Sequence, residues 1–316
     1  MSFILKRVGV AILLVWVVAS IVFLAIRLVP GDPAELLLSQ GGVAPDPAAV
    51  AQLHERLGLD RSLAAQYLLD LRRLLAGDLG TSLQDESSVA GEIAHRLPRT
   101  LELIAAAALF AVLLGIPGGL LAAMRLGGVL DRLGRLVSAL GLAVPVFVVG
   151  TLLVLVFAQT LRLVPAGGYV PLAQDPLKHF MLLAMPALAI GFGLAASVFR
   201  MTRAAVLDVS QRDFVRTARA KGVAPNRILT RHVLRNALMP VVTVLALNLG
   251  TLLGGTVLVE YVFNYPGLSG LLVDAVNARD YPEVQGVVLV ISVLFVGLNL
   301  AVDLVYAIID PRVRQA

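Results

Sequence analysis

The sequence predicts an all-α polytopic membrane protein with six transmembrane helices. Of its 316 residues, 58% are hydrophobic and only 15% are charged, and the mean hydropathy of +0.87 is far above that of a typical water-soluble domain. Six stretches without a charged residue can each cross a hydrocarbon core about 30 Å thick. These stretches do not alternate between apolar and polar residues, so they predict helices and not barrel strands. They occupy residues 8–26, 103–124, 136–161, 180–199, 237–259 and 284–302.

The first stretch follows Lys6 and Arg7, as the apolar core of a signal peptide would. It is too long for such a core, and no cleavage site of small residues follows Arg27. We therefore expect residues 1–29 to stay in the membrane as the first transmembrane helix.

The distribution of basic residues predicts the orientation, because cytoplasmic loops are enriched in Lys and Arg. With the N-terminus inside, the loop containing Arg125, Arg132 and Arg135 and the segment 200–236, which holds nine Lys and Arg, both face the cytoplasm. Both termini are then cytoplasmic. The net charge of +5 reflects this asymmetry and does not indicate a nucleic-acid partner.

Residues 30–99, between the first two spans, are expected to form an extracytoplasmic helical segment. Asp46 with Pro47 signals the start of one helix and Gly58 its end, and Ser62 and Gly77 bound a second. A third, amphipathic helix over 89–97 is expected along the membrane interface, with Pro98 opening the second span. The segment is either a small external cap or a spacer over the outer mouth.

A second outer feature lies between the last two spans, at residues 260–272. It is too apolar and aromatic for an ordinary loop, yet Pro266 and Gly267 interrupt it. Such a segment predicts a short re-entrant turn, covered by protein or water.

The arginine-rich segment 214–240 predicts cytoplasmic helices between the fourth and fifth spans. Ser210 and Asp213 resemble a capping box, and Gly222 is placed to end the helix that follows. Helical spacing puts Arg212, Arg216 and Arg219 on one face and Phe214, Ala218 and Lys221 on the other.

A second helix is expected to begin at Pro225. One of its faces carries Arg227, Arg231 and Arg235, and the opposite face carries Leu229, Val233 and Ala237. Pro240 is then expected to start span five.

Two interpretations of this segment remain open. Its arginines can contact anionic lipid headgroups. Alternatively, one face rests on the membrane or the protein while Phe214, Ala218, Lys221 and Gly222 face a soluble partner.

The segment 214–222, FVRTARAKG, resembles the cytoplasmic coupling loop of ABC importer permeases. Ala218, Gly222 and Leu234 fit the general motif of that loop. Departures at Arg216, Thr217, His232 and Arg235 are similar to the form found in peptide and nickel permeases. Further similarities in order along the chain are LVPGDP at 28–33, LGLD at 57–60, GDLG at 77–80, RLP at 96–98, FNYPGL at 263–268, ARDYP at 278–282 and DPR at 310–312.

This resemblance is to the B-type permeases of dipeptide and oligopeptide importers, and it covers nearly the whole chain. It implies the type I importer permease fold, with residues 100–316 as the permease domain and a coupling loop at 200–239. It also implies a second, C-type permease, two cytoplasmic ATP-binding subunits and an extracytoplasmic binding protein. The contact with an ATP-binding subunit is then expected at Asp213, Phe214, Thr217, Ala218, Lys221, Gly222 and Val223.

Three polar residues are candidates for the translocation path because polar groups in membrane helices are often functional. Asn248 and Thr251 lie in the fifth span, and Glu260 is expected at the outer interface. Hydrogen bonds between helices, or exposure of Glu260 to water, would explain them equally well.

Other functional classes have little support. The chain has no cysteine, and none of Lys6, Lys178 and Lys221 follows a glycine, so there is no P-loop. We expect no cofactor or metal in this chain, with ATP and magnesium on partner subunits. An intramembrane protease using Ser269 would need a histidine within the membrane, and all four histidines lie outside the charge-free stretches. A secondary transporter acting without ATPases would be expected to carry inverted repeats and charged midplane sites.

Overall fold

The computed structural model describes residues 2–28, 33–38 and 46–309. Within these ranges the backbone is helical or irregular, apart from an isolated antiparallel bridge between Thr81 and Ser88. The helices are α1 (Ser2–Leu28), α2 (Pro33–Leu38), α3 (Pro47–Leu57), α4 (Leu63–Leu75), α5 (Val89–Met124), α6 (Val129–Ala143), α7 (Val146–Leu153), α8 (Pro176–Ser210), α9 (Asp213–Ala220), α10 (Pro225–Arg227), α11 (Arg235–Gly255), α12 (Val257–Val262), α13 (Leu268–Asn277) and α14 (Tyr281–Ile309). Two π-helical stretches, Val154–Thr160 and Ile228–Leu234, follow α7 and α10.

Five helices of the described chain are long and apolar enough to cross a membrane, and a bent pair of helices gives the sixth candidate. The five segments are Leu5–Leu28, Val89–Met124, Pro176–Ser210, Pro225–Gly255 and Tyr281–Ala301. They correspond to five of the six stretches expected from the sequence. This agreement confirms the all-α membrane fold.

The third predicted stretch, 136–161, is not one straight helix. Val129–Ala143 and Val146–Thr160 meet at an angle of 104°. The break lies at Val144, whose φ of −85° and ψ of 124° are extended. Pro145 follows it, and a proline disfavours helical backbone at the preceding residue. Here one proline therefore divides a continuous apolar stretch into two helices that meet at a sharp angle.

Prolines elsewhere did not end helices as the sequence suggested. α5 runs continuously through Pro98, so the separate interfacial helix expected at 89–97 is wrong. Pro240 likewise lies inside α11 instead of starting it. A proline removes one intrahelical hydrogen bond and bends the helix, and packing on both sides of it can hold the helix together. In α5, Val89 on one side of Pro98 and Leu103 on the other are fully buried.

The local signals in the segment after α1 are confirmed. The Asp46 carboxylate accepts a hydrogen bond from the Ala48 amide at 3.0 Å, and the Ser62 hydroxyl accepts one from Ala65 at 3.4 Å. Gly58 and Gly77 follow the two helices with φ of 65° and 77°. These are the left-handed conformations that glycine adopts at least cost.

The helices form two compact units: Met1–Arg96 with Leu271–Leu300, and Leu97–Gly270 with Ala301–Ala316. In the first, α1 contacts α4 through a 2.7 Å hydrogen bond between Ser20 and Tyr67 and through the Arg27 guanidinium, which donates to Gln66 at 3.0 Å. The buried Asp280 carboxylate accepts from the Ser82 hydroxyl at 2.5 Å and from the Leu83 amide at 2.9 Å. These bonds attach the loop before α5 to the start of α14.

In the second unit, α8 packs against α6, α7 and α11. α5 also approaches α8 very closely. A methyl group at Gly119 would lie 2.6 Å from the Phe199 carbonyl oxygen, and one at Gly115 would lie 2.7 Å from the Val198 side chain. Two glycines four residues apart thus let the helices touch backbone to backbone, as small residues do in membrane bundles.

Candidate functional site

The first candidate site is α9, the short helix between the long helices α8 and α11. Its N-terminus differs from the predicted capping box. Ser210 is the last residue of α8, and its hydroxyl donates to the Val206 carbonyl at 2.6 Å instead of capping α9. Arg212 occupies the N-cap position without a side-chain cap, and Asp213 begins the helix. The carboxylate of Asp213 in the first turn still favours the positive end of the helix dipole.

The C-terminus of α9 is the one that the sequence predicted. Gly222 has φ of 72°, and its amide donates to the Arg219 carbonyl at 3.0 Å. The Val223 amide donates to the Ala218 carbonyl at 3.2 Å. A methyl group at Gly222 would meet nothing within 4 Å, so the requirement for glycine comes from the backbone conformation alone.

The buried face of α9 is not the one expected from helix phase. Val215 is fully buried and Ala218 is 9% exposed. Both pack in an apolar cluster with Val206, Val209, Ile228, Val233 and Ala237. The expectation that Ala218 faces a partner is therefore wrong, since its methyl group belongs to the bed on which the helix lies. Val223 is half-buried against the same cluster.

The remaining side chains of α9 point away from that bed. Phe214 is 42% exposed, a large aromatic ring on an otherwise polar surface. The other exposed residues of the predicted coupling set are Asp213, Thr217, Lys221 and Gly222. Arg216 pairs with Asp213 at 3.6 Å, and Arg212 pairs with Asp208 at 2.8 Å. Exposed pairs of this kind contribute little stability, so these charges remain available to another surface.

The following segment continues the same arrangement. Arg227, Arg231 and Arg235 are exposed, as predicted, while Ile228 and Val233 are buried in the cluster beneath α9. α10 and the π-helical turn lead directly into α11, so Pro225–Gly255 forms one long helical segment. The bed of α9 is thus physically continuous with a candidate transmembrane helix.

The second candidate site surrounds Glu260 on α12. Glu260 is only 2% exposed, so the exposure to water offered as an explanation of this residue is wrong, and its location at the outer interface stays a prediction. Its carboxylate accepts hydrogen bonds from the Thr256 hydroxyl at 2.8 Å, the Thr100 hydroxyl at 3.2 Å and the Gly270 amide at 2.6 Å. We call Thr100, Thr256, Glu260, Ser269 and Gly270 the outer polar cluster.

Every member of the outer polar cluster has a partner within it or beside it. The Thr256 and Ser269 hydroxyl oxygens lie 2.9 Å apart, and the Leu268 amide donates to the Thr100 hydroxyl at 2.7 Å. A methyl group at Gly267 would collide with the Glu260 carboxylate. The cluster therefore holds the turn between α12 and α13 in one conformation, and both oxygens of the buried Glu260 carboxylate accept hydrogen bonds within it.

Two opposing effects act on the pKa of Glu260, which lies outside the candidate spans. Burial raises this pKa above its usual value, because the charged form loses hydration. The hydrogen bonds from Gly270, Thr256 and Thr100 act in the opposite direction, since they stabilise the charged form. Burial is the larger effect.

The remaining translocation-path candidates, Asn248 and Thr251, bond within their own helix. The Asn248 amide donates to the Val244 carbonyl and the Thr251 hydroxyl to the Asn248 carbonyl, both at 2.7 Å. Thr251 is exposed and Asn248 half-buried. Their place on a translocation path stays a prediction.

A group of polar residues near the outer polar cluster was missed by sequence reasoning. The His179 ring is 2% exposed, with Nδ1 2.8 Å from the Val170 carbonyl oxygen and Nε2 2.8 Å from a Glu102 carboxylate oxygen. The Tyr265 hydroxyl donates to the Arg99 carbonyl at 3.2 Å, and the ring stacks edge-on against Tyr169. The His179–Glu102 contact attaches the start of α8 to α5, and the Tyr265 hydrogen bond attaches the turn before α13 to α5.

The model of the family described as binding-protein-dependent transport system inner membrane component matches residues 115–315, and a model of its N-terminal region matches residues 1–104. The di/tripeptide transport system permease protein DppB of Pseudomonas aeruginosa is 40% identical, with 100% of this chain and 99% of the relative aligned. The glutathione transport system permease protein GsiC of Pectobacterium atrosepticum is 41% identical, with 99% of each chain aligned.

A solved structure supports the fold. The chain is similar to an inward-facing structure of the MetNI methionine ABC transporter with a TM-score of 0.57 and 18% sequence identity. The similarity covers 69% of this chain and 96% of that one.

Proposed function

The chain belongs to the family of binding-protein-dependent transport system inner membrane components, and from this premise we propose that it is a permease subunit of an ATP-driven importer of di- or oligopeptides or related small cargo. In this proposal it pairs with a second permease, rests on two cytoplasmic ATP-binding subunits and receives cargo from an extracytoplasmic binding protein. Both termini lie in the cytoplasm, as the distribution of basic residues suggests.

The single observation that carries the proposal is the construction of α9. This eight-residue helix has Phe214 and Thr217 exposed, with Lys221 exposed at its C-cap. Val215 and Ala218 pack it on an apolar cluster that includes the start of the next long helical segment. Its C-terminus is closed by Gly222 in the left-handed conformation. A short helix that packs tightly on an apolar cluster transmits displacement to the helices that form the cluster, as rigid elements do in shear and hinge motions.

ATP chemistry belongs to partner subunits in this mechanism. Magnesium and ATP bind there, and the coupling residues of this chain are Asp213, Phe214, Thr217, Lys221 and Gly222, with Ala218 and Val223 as part of the bed. Closure of the ATP-binding subunits displaces α9, and the apolar cluster passes that displacement to α8 and α11. The outer polar cluster keeps the turn between α12 and α13 in one conformation during this motion.

Peptide cargo is supported by the names of the relatives, a di/tripeptide permease and a glutathione permease. The binding protein supplies most of the selectivity in such a system, so the cargo is tested on that partner. A screen of its affinity for dipeptides, oligopeptides, glutathione and metal chelates is expected to give the strongest binding with a peptide. Preference for a non-peptide cargo would contradict this part of the proposal.

Reconstitution tests the proposal as a whole. Proteoliposomes with both permeases, both ATP-binding subunits and the binding protein are expected to accumulate peptide only when ATP is present. Gly222→Asp is expected to abolish uptake while the permease remains in the membrane and ATP is still hydrolysed. Uptake by this chain alone, without ATP, would instead identify a secondary transporter.

A further inference from the structure

A cavity of about 750 Å³ lies between α6, α8 and α11, and the proposed transport function does not use it. Its wall contains three arginines, Arg135, Arg200 and Arg203, and two serines, Ser138 and Ser197. We call this the arginine pocket. Its volume falls within the usual range for small-molecule sites.

The charge of the pocket wall is only partly compensated. The buried Asp131 carboxylate accepts from Arg203 at 2.7 Å and lies 3.6 Å from Arg135, and the Gly127 amide donates to it at 3.0 Å. Among the residues that the structure describes, none forms an ion pair or side-chain hydrogen bond with Arg200. The one carboxylate that pairs with this wall contacts Arg203 and Arg135, and the charge of Arg200 is left uncompensated.

The position of the pocket coincides with an edge of the apolar region. Arg135 is the last charged residue before the charge-free stretch 136–161, and Arg200 is the first after 180–199. Because α6 packs against α8, the two boundaries lie side by side. The positive charges thus lie where a hydrocarbon layer would meet water.

The pocket also has an apolar side. Leu142, which is 44% exposed, lines it, and Leu136 and Leu140 on the same helix are 58% and 50% exposed. A ligand with a phosphate and an acyl tail would satisfy both parts, with the phosphate on the arginines and the tail along α6. A free inorganic anion would leave the leucines uncovered.

We propose that the arginine pocket binds the phosphate of an anionic phospholipid, with Arg200 and Arg135 as the principal contacts. The net positive wall favours a headgroup with net negative charge over a zwitterionic one. Arg203 has a different part, because its pairing with Asp131 joins α8 to α6 and builds the wall. This site is independent of the transported cargo.

Native mass spectrometry of the full-length chain in neutral detergent tests the proposal, with phosphatidylglycerol and phosphatidylcholine of matched tails as probes. Wild type is expected to retain one phosphatidylglycerol at concentrations where phosphatidylcholine is lost. Arg200→Gln is expected to weaken that binding about fivefold, and addition of Arg135→Gln about 25-fold. Arg200→Lys, which keeps the charge, is expected to retain most of the affinity.

Arg132→Gln is the matched control, since Arg132 is exposed on α6 and does not line the pocket. It is expected to bind phosphatidylglycerol as wild type does, and inorganic phosphate at equal concentration is expected not to displace the lipid. Equal retention of the two lipids, an equal loss in Arg132→Gln, or displacement by inorganic phosphate or by a dipeptide would overturn the proposal. The measurement needs no ATP and no partner subunit, so its failure is distinct from failure of the transport function.

Discussion

The outer polar cluster and α9 differ in how their polar groups are satisfied. Around Glu260 the donors and acceptors bond to one another inside the protein, and the residue is 2% exposed. On α9 only Val215 and Ala218 are buried, and the polar side chains face outward. A closed polar network fixes one conformation, whereas a polar helix on an apolar bed presents its surface to another molecule. The outer polar cluster therefore has a structural role, whereas the exposed surface of α9 is available for an interaction.

The largest effect is expected from removal of the Glu260 carboxylate. Glu260→Ala leaves the Thr100 and Thr256 hydroxyls and the Gly270 amide without their acceptor, which is expected to cost about 3–5 kcal/mol of folding free energy. The measurement is thermal unfolding of the purified chain in detergent. Tyr261→Ala is the control, because Tyr261 is the next residue and is 86% exposed. Equal stability of the two variants would show that the cluster does not hold the turn.

A smaller effect is expected from the bed of α9. Val215→Ala removes two buried methyl groups and is expected to destabilise the chain by about 2 kcal/mol. Phe214→Ala, at the neighbouring exposed position, is expected to leave stability unchanged and to reduce ATP-dependent uptake. Thermal unfolding and transport measured on both variants separate the two roles. A stability loss in Phe214→Ala as large as that in Val215→Ala would contradict the assignment of faces.

The end of α9 offers a test of backbone conformation alone. Gly222→Ala forces a side chain into the left-handed conformation, at a cost of about 1–2 kcal/mol, although the site has space for a methyl group. The control is Gly297→Ala, since Gly297 lies in a helix with equal space and without positive φ. Thermal unfolding is expected to show destabilisation in the first variant and none in the second. A larger destabilisation in Gly297→Ala than in Gly222→Ala would show that the left-handed conformation of Gly222 does not matter for stability.

The smallest effect concerns pH at Glu260. Because burial raises its pKa in the folded chain, the unfolded state releases this proton first. The contribution of Glu260 to stability is therefore fully present below the unfolded pKa of about 4.3 and is lost as pH rises from there through the higher folded pKa. The stability of wild type relative to Glu260→Gln is therefore expected to be higher below that pH and to fall above it. Chemical unfolding of both proteins across this range measures the difference. A relative stability that rises with pH would mean that the hydrogen bonds outweigh burial.

What could be predicted from sequence was local. Asp46, Ser62 and Gly222 act on neighbouring backbone groups, so their roles follow from a few residues of sequence. The partners of Glu260 could not be found in that way, because Thr100 lies 160 residues away. Thr256, one helical turn before Glu260, was the one local signal of the outer polar cluster.

The prediction of faces on α9 failed for a different reason. The arginines and Phe214 suggested two opposite faces, with Ala218 on the face of Phe214. Which residues are buried, however, depends on the side chains that pack beneath the helix. Val215 and Ala218, three residues apart, meet an apolar cluster built by α8 and by the segment after α9. Ala218 has a small side chain that suits either a surface or a close contact, so pattern alone could not assign it. Pro98 and Pro145 show the same limit, since packing keeps one helix continuous and lets the other break.

The central claim is that the exposed face of α9 contacts an ATP-binding subunit, and single-cysteine crosslinking tests it most directly. The chain contains no cysteine, so Phe214→Cys and Tyr261→Cys each introduce one reactive thiol at an exposed position. In membranes containing the assembled transporter, a short bifunctional reagent is expected to join Phe214→Cys to the ATP-binding subunit and to leave Tyr261→Cys unlinked to it. Crosslinking of Phe214→Cys to lipid alone, or of Tyr261→Cys to the ATP-binding subunit, would contradict the account.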